Sequence, residues 1–357
     1  MDEFRIHTRI IDPPGANERA MLAAFLAPLG LDLEDDVEVS AVVDDGLVPI
    51  ATASLAGDVI KCVGVLPERE GEGAAARAVS AIIAEAEARG RRHLFVYTRP
   101  RNRSIFESLG FVMLASTAGA RPDEGVMLLQ NDAHAFDRWA EAIASRLPGA
   151  RAAGAVVVNC NPFTLGHRYL IERSAADCAG NGSTLLVLVV AGDRSSFPGA
   201  VREQLVRAGT ADIGNVVVAS GGAYCVSGAT FPAYYLKEKS QAADLQAALD
   251  AELFASRIAP ALGIRRRFVG TEPYCQVTAG YNRAMAEVLP RHGIELVQIP
   301  RVESGGAAIS ASAVRAALHD GDMARALALV PPTTAAWLRS AEAAPVLQKI
   351  RTGSGRH

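Results

Sequence analysis

Thr164 and His167 stand three positions apart in the run Asn159-Cys160-Asn161-Pro162-Phe163-Thr164-Leu165-Gly166-His167. A hydroxyl and an imidazole at that spacing can both reach one phosphate group. The apolar, β-branched run before them reads as a buried strand, and Arg168–Ser174 after them has helical spacing. Strand, tight loop and helix start together form an anion site, because free N–H groups and the helix dipole both face the loop. The chemistry this suits is the handling of ATP at its α-phosphate. Asn161, Phe163 and Gly166 lie inside the same motif and are expected to border the nucleotide, with Phe163 equally suited to a core. Ile309-Ser310-Ala311-Ser312-Ala313-Val314-Arg315 follows the pair Gly305-Gly306 and reads as a serine-capped helix start. Ser310 and Ser312 offer hydroxyls to phosphate oxygens. Arg315, about one turn into the helix, can reach the β/γ-phosphates. Taken alone, this segment is an ordinary capped helix; paired with the first motif, it is a second phosphate contact.

These residues need a frame that brings them together. From Ala152 onward strands and helices alternate, with strands expected at Ala155–Asn159, Thr184–Val190, Val216–Ser220, Arg267–Gly270 and Glu295–Ile299. Helices are expected at His167–Cys178, Val201–Thr210, Thr278–Leu289 and Ser312–His319. Such alternation makes a parallel sheet whose ligands lie at the C-terminal strand ends. Arg194 follows the second strand and is either a phosphate neighbour or a surface arginine. Gly270 and Glu272 follow the fourth and either approach the adenosine or form a plain turn. Lys237 lies in an insertion, Phe231–Ala261, and either meets a partner protein or is solvated. A helix is expected over Ser240–Ala255.

The first part of the chain reads differently. Val37–Val43, Ile50–Ala56 and Val59–Val65 form an antiparallel meander, followed by Gly71-x-Gly73, an Ala-rich helix to about Arg89, a strand at His93–Thr98 and a helix at Asn102–Leu109. A helix at Phe136–Leu147 leads to Pro148-Gly149, where the domain boundary is expected. The division is thus 1–149, 150–345 and a polar tail at 346–357. The chain has 357 residues and a net charge of −3, which argues against a sequence-independent grip on nucleic acid. Cys62, Cys160, Cys178, Cys225 and Cys275 have no C-x-x-C spacing and read as reduced, scattered thiols, with no metal site. The acidic N-terminus has no apolar segment behind it and no apolar run is long enough for a bilayer, so a cytoplasmic protein without membrane contact is expected.

The order of elements before residue 112 resembles the GNAT acyltransferase fold, in which a Gly-rich loop holds the pyrophosphate of coenzyme A. Asn102, Phe106, Glu107, Leu109, Gly110 and Phe111 fit that pattern, whereas Glu68 places an acid where the loop usually begins with Gln or Arg. A helix start that merely needs glycines is the competing reading. Thr-x-Gly-His and Ile-Ser-x-Ser-x-x-Arg resemble the nucleotidylyltransferase superfamily. The resemblance implies an α/β chain: an N-terminal GNAT-like α+β domain, then a Rossmann-like nucleotidylyltransferase domain with a parallel sheet. It implies that His167 and Thr164 donate to the α-phosphate, and that Arg315, Ser310 and Ser312 hold the leaving pyrophosphate with Mg²⁺. Gly192-Asp193-Arg194-Ser195-Ser196-Phe197-Pro198, Ala229–Lys237, Phe268–Cys275 and Tyr281–Met285, in that order, resemble the citrate lyase ligase family over essentially the whole chain. That resemblance implies ATP-dependent activation of acetate as acetyl-adenylate. The acetyl group would pass to the dephospho-coenzyme A-derived thiol of the citrate lyase acyl carrier protein. A GNAT-like domain could then grip that arm through Gly71 and Gly73. Two other readings remain open: an adenylyl- or cytidylyltransferase using a phosphate acceptor, and a GNAT acetyltransferase with a nucleotide-sensing domain.

Overall fold

The structure, a computed structural model, describes residues 6–117, 125–180, 182–192, 195–225, 239–271, 276–301, 303–304 and 307–353. It divides into two compact units, Met1–Phe136 with Thr230–Leu249, and Asp137–Ala229 with Asp250–His357.

The first unit holds strand β1 (Ile6–Ile11), helix α1 (Ala16–Leu26), β2 (Val39–Asp45), β3 (Val48–Ala56), β4 (Val59–Val65), α2 (Ala74–Ala88), β5 (Phe95–Thr98), α3 (Arg103–Ser108), β6 (Val112–Ser116) and β7 (Met127–Gln130). The strands form one sheet in the order β1-β2-β3-β4-β5-β7-β6. Neighbours are antiparallel except β4 and β5, which pair in parallel only at Val59–Ile60 against Phe95–Val96. Helix α2 buries Ala74, Ala75, Ala78, Val79, Ile82 and Ala86, a spacing that puts one small-residue face against the sheet. Strand β4 thus runs into the Gly71-x-Gly73 loop and then a helix, the order that the GNAT-like resemblance implies. Lys61 in β4 is buried and held by Glu34 (2.7 Å) and Asp36 (3.0 Å).

The second unit begins within helix α4 (Ala135–Ala144). It continues with β8 (Gly154–Val158), α5 (Leu165–Ala179), β9 (Leu185–Val189), α6 (Gly199–Gly209) and β10 (Val216–Ser220). Then come α7 (Lys239–Leu253), whose residues up to Leu249 belong to the first unit, α8 (Ala259–Leu262), β11 (Arg266–Gly270), α9 (Gln276–Val288) and β12 (Glu295–Ile299), and finally α10 (Ala311–His319), α11 (Met323–Ala328), α12 (Pro332–Leu338) and α13 (Ala344–Thr352). The sheet is parallel throughout, ordered β10-β9-β8-β11-β12. The chain leaves β8 toward one edge and returns on its other side with β11, so the topological switch point falls between them. Trp139 of α4 donates to Ser220 O and packs at a tilt against the Tyr224 ring, while Arg146 donates to Val218 O, which seats α4 on the β10 edge.

Several elements differ from the sequence expectation, β6 and β7 among them. Residues 344–352, assigned largely to a polar tail, form α13, because Val346 and Ile350 lie on one face and are buried in the core. Strand β1 and helix α1 were not anticipated. Strand β1 reads Ile-His-Thr-Arg-Ile-Ile, three consecutive polar residues on a half-exposed edge strand, so it has neither an apolar run nor a strand-like alternation. Cys62, Cys160, Cys178 and Cys225 are free and buried; Cys275 lies outside the described residues. Among the described residues no helix is long and apolar enough to cross a membrane.

Candidate active site

The C-terminal end of β8 leads into a loop in which Cys160 takes a left-handed conformation (φ +51°) and the Asn161–Pro162 peptide is cis. The loop ends at Thr164, the N-cap of α5. Its Oγ1 accepts from the main-chain N–H of His167 at 3.3 Å, and its own N–H donates to Nδ1 of His167 at 3.2 Å. This is a capping box with histidine in the place usually held by Glu or Gln. Nδ1 therefore acts as an acceptor, and the proton of the neutral ring lies on Nε2. Burial, reinforced by the charge of Arg301, pushes His167 down to about 4. At neutral pH it is an uncharged hydrogen-bond donor at a helix N-terminus.

The second motif meets the first directly. Ser310 caps α10, its Oγ accepting from the N–H of Ala313 at 3.1 Å. Arg315 donates through Nη1 to Asn161 O at 2.6 Å and through Nη2 to Ser312 Oγ at 3.2 Å. Burial lowers Arg315 from its ordinary value, yet a guanidinium stays charged in a protein. Its Nε is buried with no hydrogen-bond partner among the described residues. A Cβ on Gly166 would stand 2.7 Å from Ile309 O, so the start of α5 and the approach to α10 are in backbone contact that only glycine permits. Gly166 thus acts by closing two helix starts together.

Other expected residues fall into place around this pair. Asn161 is buried, its Oδ1 accepting from the N–H of Phe197 at 3.0 Å. Gly270 ends β11, and its carbonyl accepts from Asn282 Nδ2 at 3.2 Å. Of the two readings open for Phe163, the structure favours the core: its ring is fully buried and parallel to that of His167 (centroids 6.2 Å, interplanar angle 17°). Arg194, Glu272 and Lys237 lie outside the described residues.

Two arginines not singled out from the sequence shape the site. Arg202 of α6 is fully buried. It donates to Phe197 O (2.9 Å), Asn159 O (2.9 Å), Asn159 Oδ1 (2.7 Å), Val190 O (2.5 Å) and Gly192 O (2.8 Å), tying the ends of β8 and β9 together. In sequence it looks like any helical surface arginine. Arg301 follows β12, and its Nε donates to Thr271 O at 2.8 Å. Its sequence signal was its place just beyond the last parallel strand, where such sheets bind ligands.

The Gly71-x-Gly73 loop of the first unit is a different case. Both glycines are left-handed (φ +83° and +80°), so the helix start does need them. Glu68, Glu70 and Glu72 are exposed there, and Arg69 is taken by Asp45 (3.1 Å) and Glu72 (2.9 Å). An acidic rim of this kind opposes a bound pyrophosphate.

Comparison with known proteins identifies the family of the chain. Residues 153–338 match the family described as citrate lyase ligase C-terminal domain. The [citrate [pro-3S]-lyase] ligase of Klebsiella pneumoniae is 36% identical over 324 residues, covering 90% of this chain and 92% of that protein. The ligase of the same name from Escherichia coli (strain K12) is 38% identical over 327 residues, covering 90% of each. Among solved structures, an acyl-CoA N-acyltransferase from Pseudomonas aeruginosa covers 36% of this chain and 99% of its own, with 14% identity and a TM-score of 0.30. Escherichia coli ElaA covers 35% and 99%, with 11% identity and a TM-score of 0.31. With two ligases matched over nine-tenths of its length, the chain belongs to the citrate lyase ligase family and is an enzyme of that ligase type.

Proposed function

We propose that the chain is a cytoplasmic, ATP-dependent and AMP-forming ligase. It activates acetate as acetyl-adenylate and transfers the acetyl group to the dephospho-coenzyme A-derived thiol of the citrate lyase acyl carrier protein. The observation that carries this reading is the backbone contact between the starts of α5 and α10, with Thr164 and His167 on one side and Ser310, Ser312 and Arg315 on the other. Family membership supports the same reaction.

Acetate is already ionised at neutral pH, so the first step requires no general base. A carboxylate oxygen forms a bond to the α-phosphorus as the bond to the β-phosphate oxygen breaks, and pyrophosphate departs. Charge grows on the α-phosphoryl oxygens during attack. The Nε2–H of His167, at the start of α5, is a donor fixed beforehand to meet it, which is worth more than a donor that must reorganise. Arg315 and the two serines hold the departing pyrophosphate. In the second step the carrier's thiolate forms a bond to the acetyl carbon, its proton having passed to solvent, and AMP leaves. Gly270 and Glu272 are proposed to border the adenosine, and Arg194 the phosphates. Among the described residues the side chains gathered here are hydroxyls, an imidazole and a guanidinium, which suit the triphosphate oxygens, so Mg²⁺ would arrive as the counter-ion of the triphosphate. The acidic rim around Gly71 and Gly73 weighs against a coenzyme A-dependent acetyltransferase.

The test is acetate-dependent ATP–pyrophosphate exchange with Mg²⁺. Wild-type protein should exchange only when acetate is present, and His167→Ala should lose about 100-fold or more, the usual cost of a transition-state donor. Turnover with a phosphate acceptor but no exchange with acetate would replace this reading by nucleotidyl transfer.

A further inference from the structure

Displacement at phosphorus keeps the attacking and leaving oxygens roughly in line. Arg315, Ser310 and Ser312, proposed to hold the pyrophosphate, stand at the start of α10. That helix shares a core, through Val314, with Val156 and Phe268 on one face of the parallel sheet. Acetate therefore approaches from the other side. The sheet opens there. Strands β8 and β11 pair only as far as Val156 and Phe268, whereas β8 continues along β9 to Val158 and β11 along β12 to Gly270. The two strands part at the switch point, where a ligand of such a sheet binds. Val157 and Val269, on the face away from α10, are only half buried although both strands are interior to the sheet.

Arg267 stands at the root of this split. It pairs with Ala155, so it shares the face of Val157 and Val269. The strands of a parallel sheet are apolar on both faces, and an arginine only 4% exposed among them is costly unless its donors are used. Phe254 seats the head from one side, with its ring centroid 4.1 Å from Cζ. Asp250 Oδ2 lies 3.8 Å from Nη2, near enough to feel its charge but too far for a hydrogen bond. Nε and Nη1 are buried with no hydrogen-bond partner among the described residues. A guanidinium stays charged in a protein, so these N–H groups suit an anionic oxygen, and the two valines suit a short apolar tail. A small carboxylate has both. With one of its oxygens on the guanidinium and its methyl group turned sideways to the valines, the second oxygen is free to face the α-phosphorus.

We infer that Arg267 is the acetate-binding residue of this enzyme, its guanidinium holding the carboxylate where β8 and β11 part, with the methyl group against Val157 and Val269. The inference rests on the acetate-activating reading and names what holds the attacking acid, on the face of the sheet away from the pyrophosphate.

The experiment measures ATP–pyrophosphate exchange and thermal melting for wild type, Arg267→Met, Arg267→Lys and Val157→Ala, with acetate and with propionate as the acid. Arg267→Met keeps an unbranched side chain without its donors. It should raise the KM for acetate about tenfold or more and leave the KM for ATP within about twofold, with Arg267→Lys between the two. Val157→Ala widens the split and should improve propionate relative to acetate about tenfold, the worth of one methylene group. A KM for acetate in Arg267→Met within about threefold of wild type would overturn the inference while leaving the ligase reading intact. So would an equal rise in both KM values with a lowered Tm, which marks a structural role, or a rise confined to the KM for ATP. Should Arg267→Met fail to fold, Val157→Ala decides, and an unchanged preference between the two acids overturns the inference. Absence of acetate-dependent exchange in wild type would instead remove the reading on which the inference stands.

Discussion

With Nδ1 of His167 accepting from the Thr164 amide, protonation would break a hydrogen bond as well as place charge in a packed site near Arg301. The folded protein therefore resists a proton that the unfolded chain accepts. The sign follows from linkage: a depressed pKa contributes stability that is present above the ordinary value of 6.5 and is lost as pH falls toward about 4. Catalysis should share this window. Acetate-dependent exchange is expected to show no histidine limb between about pH 5.5 and pH 8, and the His167 ring should titrate near 4 by NMR. An inflection near 6.5 that disappears in His167→Ala would show the ring working as a titrating acid. Of the site residues, Thr164, His167, Ser310, Ser312 and Arg315 were legible because polar side chains stood where an apolar strand or loop gave way to helix. Phe163 was ambiguous for a physical reason. An aromatic residue inside a loop motif has the same composition whether it turns to a ligand or to the core, and the packing of α6 and α12 decides it.

At the scale of elements, the helix starts and strand ends are fixed by a buried charge. Arg202 holds carbonyls from the loop after β8, the end of β9 and the segment before α6. Arg202→Met keeps much of the volume but leaves those carbonyls without donors, and should destabilise the fold by about 3 to 5 kcal/mol in urea denaturation. A loss below about 1 kcal/mol would mean that solvent or neighbouring groups replace the guanidinium. The periodic elements were legible nearly to their ends: β4, β10 and β12 coincide with their expected spans, and α5, α6 and α10 begin within two residues of expectation. Strong apolar runs between glycine and proline breaks explain that success. The short β6 and β7 gave no such signal, since four or five residues carry too little period to separate strand from loop. Helix α13 was hidden because it is short and leads into a polar terminus, with Lys349 and Arg351 set between the two apolar side chains, Val346 and Ile350, that dock it.

At the scale of the molecule, each unit has its own core. One is built on Val39, Ile60, Val79, Phe106 and Leu129, the other on Val156, Phe163, Phe197, Phe268 and Trp337. Two cores of this kind can melt separately. Calorimetry should resolve two transitions, and saturating ATP should raise the one belonging to the second unit by mass action, at about 2.7 kcal/mol for a hundredfold excess over Kd. A single transition that moves as a whole with ATP would show that the units unfold together. The cysteines carry a last consequence. Burial pushes Cys62 and Cys225 up to about 12 and raises Cys160 and Cys178 as well, so none of these four supplies a thiolate at neutral pH. Acetyl-adenylate is a mixed anhydride that any exposed thiolate would intercept. An enzyme that works by the proposed reaction, delivering an acyl group to another protein's sulfur, gains by concealing these four. Incubation with ATP and labelled acetate, without carrier, should leave these four side chains unacetylated, so that the intermediate waits for its acceptor instead of marking the enzyme that made it.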